Sequence, residues 1–172
     1  MTCFVDSEIE EFTGRICVEE VHFTEAKNAY FARSRAGKLY NGEDYFLDVD
    51  SHTRFAQRWD ADLIEMLEEQ CPQRSVLTAY PPGFKRGEVE VKSSPIERFK
   101  PTAMCFREFG KKDGLPRFKS QIVHQTHHFK RPFRSIVWCA GFSFCHGELR
   151  KELLYNDELE FVFFGEEILG TL

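Results

Sequence analysis

The 172-residue chain has no apolar run near the roughly 20 residues that a membrane-crossing helix needs. Its opening, Met1-Thr2-Cys3-Phe4-Val5-Asp6-Ser7-Glu8, has neither a basic start nor an apolar stretch, so no secretory leader is expected. Cysteine is sparse and scattered: Cys3, Cys17, Cys71, Cys105, Cys139 and Cys145 form no Cys-x-x-Cys pair, which argues against a zinc ribbon. With no leader, buried free thiols are expected rather than disulfides. Positive charge is outnumbered. Lys and Arg total 23 against 28 Asp and Glu, and the net charge of -5 argues against a nucleic-acid partner. The one basic and aromatic run, His128-Phe129-Lys130-Arg131-Pro132-Phe133-Arg134, reads as a solvated loop. No Ser-His-Asp order and no phosphate-cradling glycine loop stands out.

What is abundant is phenylalanine. Eighteen Phe in a chain that is 42% hydrophobic argue for a packed core, because aromatic burial offsets the entropy of ordering. No repeat or linker divides the chain, so one domain over residues 1–172 is the simplest organisation.

Residues 16–23 read as a strand, being rich in apolar and β-branched side chains. Thr24 reads as the N-cap of a helix with Ala29, Ala32, Ala36 and Leu39 at helical spacing, stopped by Asn41-Gly42. Residues 45–49 form a short apolar run of the kind found in buried parallel strands. Asp60 is the expected cap of a second helix with Leu63, Ile64 and Leu67 on one face, ended by Cys71-Pro72. Residues 75–80 read as a strand broken by Pro81-Pro82-Gly83, and residues 85–98 as a loop. Further strands are expected at 101–106, 117–123 and 135–139, and a short helix at 147–154. Residues 160–164 are a hydrophobic run. Strands alternating with helices in the first half favour an α/β fold with a parallel sheet.

The strongest chemical signal is at the end of the run 45–49. Ligands of open α/β sheets bind outside the carboxyl ends of strands. Asp48, Asp50 and His52 alternate, and all three face one side if the extended conformation persists. A carboxylate and an imidazole together can hold a divalent ion, and the mixed oxygen and nitrogen set suits Mn²⁺. The alternative is a strand-end turn in which Asp50 and Ser51 cap the next element. Glu166 and Glu167 can equally be negative charge at a helix N-terminus. His124, His127 and His128, with Cys139, Cys145 or His146, offer a structural zinc site at unusual spacing.

Tyr45-Phe46-Leu47-Asp48-Val49-Asp50-Ser51-His52-Thr53-Arg54-Phe55, followed by Trp59-Asp60, resembles the motif of the UDP-GlcNAc-dependent protein N-acetylglucosaminyltransferases, the family with the hydroxyproline-modifying enzymes. Matches in the same order are Glu25-Ala26-Lys27 with Ala32-Arg33, residues 78–83, residues 138–144 and residues 163–167. The resemblance spans about residues 16–170. It implies a GT-A-like fold, a Rossmann-like nucleotide-sugar-binding sheet flanked by helices. It implies a DxH motif with Asp50 and His52 as metal ligands, and leaves Asp48 as the first position of an alternative DxD. Gly165-Glu166 is similar to a Gly-Glu signature, which makes Glu166 the catalytic contact to the donor sugar. Residues 138–144 resemble a substrate loop in which Gly141 admits the sugar closely, although Trp138 can also be plain core. Arg33 is a candidate for the phosphate or uracil side, with a solvent-exposed helix arginine as the alternative.

The implied reaction is retaining transfer of GlcNAc from UDP-GlcNAc to a protein hydroxyl, with a UDP-sugar donor and a protein acceptor as partners and a cytoplasmic location. GT-A domains begin with a uracil-holding strand, and the family's third metal ligand is a histidine well beyond the Gly-Glu motif. About 15 residues precede Ile16, and Leu172 lies five residues after Glu167, so an incomplete core fragment is expected. The rival expectations are a non-catalytic sugar-nucleotide or protein binding module and a structural zinc domain.

Overall fold

The computed structural model describes residues 16–83, 102–124, 132–153, 155–156, 158–162 and 165–166. His127, His128, Glu167, residues 163–164 and the loop at 85–98 lie outside the described residues.

Helix α1 is Ala29–Gly37, β1 is Tyr45–Val49, α2 is Trp59–Gln70 and β2 is Val76–Thr78. The hairpin strands are β3, Thr102–Phe109, and β4, Pro116–Ile122. Strand β5, Phe142–His146, runs directly into α3, Gly147–Arg150. The described fold is therefore mixed α/β, with one three-stranded sheet in the order β1-β5-β2 and a separate β3-β4 hairpin.

Both ladders of the main sheet are antiparallel, which corrects the expected parallel sheet. Strands β1 and β2 do run in the same direction, as a strand-helix-strand unit with α2 between them requires. They are held apart by β5, which arrives from late in the chain and pairs with both. No local pattern in residues 45–80 announces that insertion.

Paired residues share a face, so the register sorts the sheet into two sides. Tyr45, Leu47, Leu77 and Phe144 face α2. Leu67, Leu77 and Phe144 are buried at the centre, with Leu63, Ile64 and Met66 of α2 packed around them. The apolar stripe of α2 is as its spacing predicts. Each fully buried side chain of this kind contributes about 1.5–3 kcal/mol relative to exposure. The other face carries Phe46, Asp48, Ser143 and Cys145. Buried Arg150 covers it, with its guanidinium carbon 4.9 Å from the Phe46 ring centre and 5.1 Å from that of Tyr155.

Other elements shift. Residues 16–23 form no strand; Val18, Val21 and Phe23 are exposed, and a turn closes from the Glu25 amide to the His22 carbonyl at 2.8 Å. Helix α1 is capped by Asn28, whose side chain accepts from the Ala29 amide, rather than by Thr24. Arg58, not Asp60, holds the N-cap position of α2; Asp60 and Asp62 lie in its first turn, where negative charge is favourable. The late strand is at Phe142–His146 instead of 135–139, and Ile136 is 90% exposed. The helix expected at 147–154 is the single turn Gly147–Arg150.

Candidate functional site

Strand β1 ends at Val49, and the chain turns at once. The Asp50 amide donates to the Gly141 carbonyl at 3.1 Å, and the Thr53 amide donates to the Asp50 carbonyl at 3.0 Å. The extended conformation therefore does not persist to residue 52, and the alternation of Asp48, Asp50 and His52 is broken. The turn nevertheless brings His52 back: its Nε2 lies 3.9 Å from Asp50 Oδ2.

Asp50 is held from two sides. Gly141 leaves room for its carboxylate; a β-carbon there would sit 2.6 Å from Asp50 Oδ2. The bare backbone at Gly141 thus accommodates a protein carboxylate, where the sequence suggested close approach of a sugar. On the other side, Arg33 of α1 donates through Nη2 to Asp50 Oδ1 at 2.6 Å and through Nη1 to Glu166 Oε1 at 2.6 Å. One guanidinium fork joins two carboxylates distant in sequence. Burial alone would lower the pKa of Arg33, but the charge and hydrogen bond of Glu166, with Tyr155 and Asp50, raise it overall.

Glu166 is buried, and it reaches this position through Gly165, whose φ of +93° is costly for any residue with a β-carbon. The turn favours glycine at 165, and Glu166 then meets Arg33. Arg33, Asp50, His52, Gly141 and Glu166 all line one cleft of about 570 Å³.

Asp48 and Gly165 are candidates that do not line this cleft, although Gly165 precedes Glu166, which does. Asp48 pairs with Ser143 inside the sheet and belongs to the Arg150 side. Burial raises its pKa, while the charges of Arg150 and Arg33 pull it back. Trp138 packs on Tyr155, with ring centres 5.7 Å apart, and is not among the cleft residues. His124 is exposed on the segment after β4, so within the described residues it has no histidine or cysteine cluster around it.

Some cleft residues carry no local signal. Pro116, Arg117 and Phe118 of β4 form part of the wall, delivered there by the hairpin. The hydroxyl of Thr102 at the start of β3 bonds to the Tyr80 carbonyl and ties the hairpin beside the Tyr80–Gly83 segment, which also lines the cleft. Arg54, just after the Asp50–Thr53 turn, adds a further cation.

Asp50 Oδ2 and His52 Nε2 are the two donors whose spacing bears on a divalent ion. With bonds of about 2.1 Å, two donors on one ion lie no more than about 4.2 Å apart, and Asp50 Oδ2 and His52 Nε2 at 3.9 Å satisfy that. Among the described residues no third His, Cys, Asp or Glu completes a cluster. An ion here would draw its remaining ligands from water or a substrate's oxygens.

The family model described as glycosyltransferase (GlcNAc) matches residues 3–172. No curated protein and no solved structure matches the chain. Among the described residues no helix is long and apolar enough to cross a membrane. A transferase of this kind takes a sugar-nucleotide donor and an acceptor, and the cleft around Asp50 is where charged side chains converge. The chain belongs to the GlcNAc glycosyltransferase family.

Proposed function

We propose that the chain is a metal-dependent transferase that moves GlcNAc from UDP-GlcNAc to a protein hydroxyl with retention of configuration. The observation that carries this reading is the convergence of Asp50, His52 and Glu166 on one cleft, with Asp50 Oδ2 and His52 Nε2 spaced at 3.9 Å. Asp50 and His52 hold the ion, and their mixed oxygen and nitrogen donors suit Mn²⁺. When bound, the ion supplies Lewis-acid neutralisation of the diphosphate leaving group.

Glu166 accepts hydrogen bonds from hydroxyls of the donor sugar. Arg33 holds Glu166 and Asp50 in place, and Gly141 preserves the space that the Asp50 carboxylate fills. The acceptor oxygen bonds to the anomeric carbon on the face from which UDP departs. The bond from that carbon to the phosphate oxygen breaks, and the departing phosphate takes the acceptor proton. No dedicated base is needed. A cytoplasmic site of action is supported by Cys139 and Cys145, which are buried as free thiols.

Calorimetry of UDP binding with and without Mn²⁺ tests the site. The wild type is expected to bind UDP in a Mn²⁺-dependent manner, and Asp50→Ala is expected to weaken that binding at least about tenfold, the size of one lost charged ligand. Absence of Mn²⁺-dependent UDP binding in the wild type overturns the proposal. Hydrolysis of UDP-GlcNAc by the wild type then separates a catalyst from a non-catalytic sugar-nucleotide binding module.

A further inference from the structure

The cleft already contains a cation bonded to its two central carboxylates. Arg33 is largely buried and donates to Asp50 Oδ1 and Glu166 Oε1 at 2.6 Å each. Its own carbonyl accepts from Arg150 Nη2 at 3.3 Å, which anchors this turn of α1 against the buried face of the sheet. An arginine so placed stays protonated and presents a rigid fork that a lysine cannot reproduce.

We propose that Arg33 is a resident counter-ion that makes divalent-cation binding at Asp50 conditional on the diphosphate of the donor. This inference rests on the reading of Asp50 and His52 as metal ligands. Asp50, Glu166 and Arg33 together carry one net negative charge, and Arg54 and Arg117 add positive charge to the same cleft, but only Arg33 is bonded to Asp50, so an ion arriving alone meets a half-neutralised site and a fixed positive charge one hydrogen bond from its ligand. Like charges at such separations repel even in a wet cleft. A diphosphate reverses the balance. It is attracted to the same guanidinium and brings its own negative charge and oxygen ligands to the ion.

One residue therefore opposes the cation and favours the diphosphate, which makes each ligand raise the affinity of the other by the same factor. No rearrangement is required. Asp50 engages Arg33 through Oδ1 while Oδ2 faces His52.

The test is titration of Mn²⁺ alone, followed through the electron paramagnetic resonance signal of free Mn²⁺, and again with saturating UDP. Wild type, Arg33→Met and Arg33→Lys are compared. Arg33→Met is expected to bind Mn²⁺ alone about tenfold more tightly than wild type and to lose a similar factor of the UDP enhancement. Arg33→Lys, which retains the charge, is expected to stay within about threefold of wild type for Mn²⁺ alone. Unchanged or weaker Mn²⁺ binding by Arg33→Met overturns the inference while leaving Asp50 and His52 as ligands. If Arg33→Met does not fold, the wild type decides: equal Mn²⁺ affinity with and without UDP overturns the coupling. If the wild type binds no Mn²⁺ even with UDP, the metal-site reading and this inference both fall.

Discussion

The two faces of the β1-β5-β2 sheet use the same strands for opposite ends. The α2 face is apolar: Leu67, Leu77 and Phe144 are buried together, and Tyr45 stacks on Phe144 with ring centres 5.5 Å apart. The α1 and α3 face is polar although it is also covered. It holds Asp48, Ser143, Cys145 and the buried Arg150, and burial pushes the Cys145 thiol up to about 11. Non-directional burial on the first face holds the sheet together. On the second face, charge and hydrogen bonding fix α1, and through Arg33 they fix Asp50 and Glu166. Strand β5 serves both, because alternate residues of one strand point to opposite sides.

This contrast can be broken from either face. The largest effect is expected from Phe144→Ala, which empties the centre of the apolar face. A loss of about 3–5 kcal/mol in denaturant unfolding is expected, and a loss below about 1 kcal/mol would mean that α2 contributes little to the sheet.

Next is the titration of Cys145 on the polar face. Its thiol rises from an ordinary 9.0 to about 11 because burial disfavours the thiolate, with the charge of Arg150 lowering it and that of Asp48 raising it. The folded chain therefore holds this proton more tightly than the unfolded chain. Its contribution to stability is fully present below pH 9 and is lost as pH rises towards 11. Relative to Cys145→Ala, the wild type is expected to lose about 1–2 kcal/mol over that range. A pH-independent difference between the two proteins would remove the burial argument.

The smallest effect on stability, and the most specific, is expected from Gly141→Ala. The added methyl meets Asp50 Oδ2 at 2.6 Å. Mn²⁺-dependent UDP binding is expected to weaken about tenfold, while the melting midpoint moves little. Equal loss of binding and of fold would show that Gly141 serves the backbone rather than the carboxylate.

Several of these features are legible in the chain itself. The stripe of Leu63, Ile64 and Leu67 produces α2, which closes its own backbone hydrogen bonds and offers one apolar surface, and the run at residues 45–49 produces β1, whose backbone is paired by β5. The ordered motifs around Asp50, Gly141 and Glu166 point to one site, and the described structure brings these residues to one cleft. What misled was locality. Residues 16–23 have strand composition but gain no partner strand, and a strand without a ladder leaves its backbone groups to water. Residues 135–139 are apolar as well, yet the ladder selects 142–146, where Ser143 and Cys145 alternate with Phe142 and Phe144 to suit two different faces. Asp48 looked like a partner of Asp50 because they are two apart. The turn at Asp50 sends the two carboxylates into different surroundings.

The sequence by itself determined the family and the positions of the central helix and strand, and it singled out Asp50, His52 and Glu166 as candidates. Those properties depend on side-chain chemistry and short-range spacing, which are present in the unfolded chain. Only the tertiary structure decided that the sheet is antiparallel through β5, that Asp48 lies on the Arg150 face, half-buried and away from the cleft, and that Arg33 joins Asp50 to Glu166. Each of these is a contact between distant segments, where burial and complementary charge select one arrangement among many that the local pattern allows. Asp50, His52 and Arg33 were each candidates in the sequence, whereas the bonding of Arg33 to Asp50 and Glu166 came from the fold.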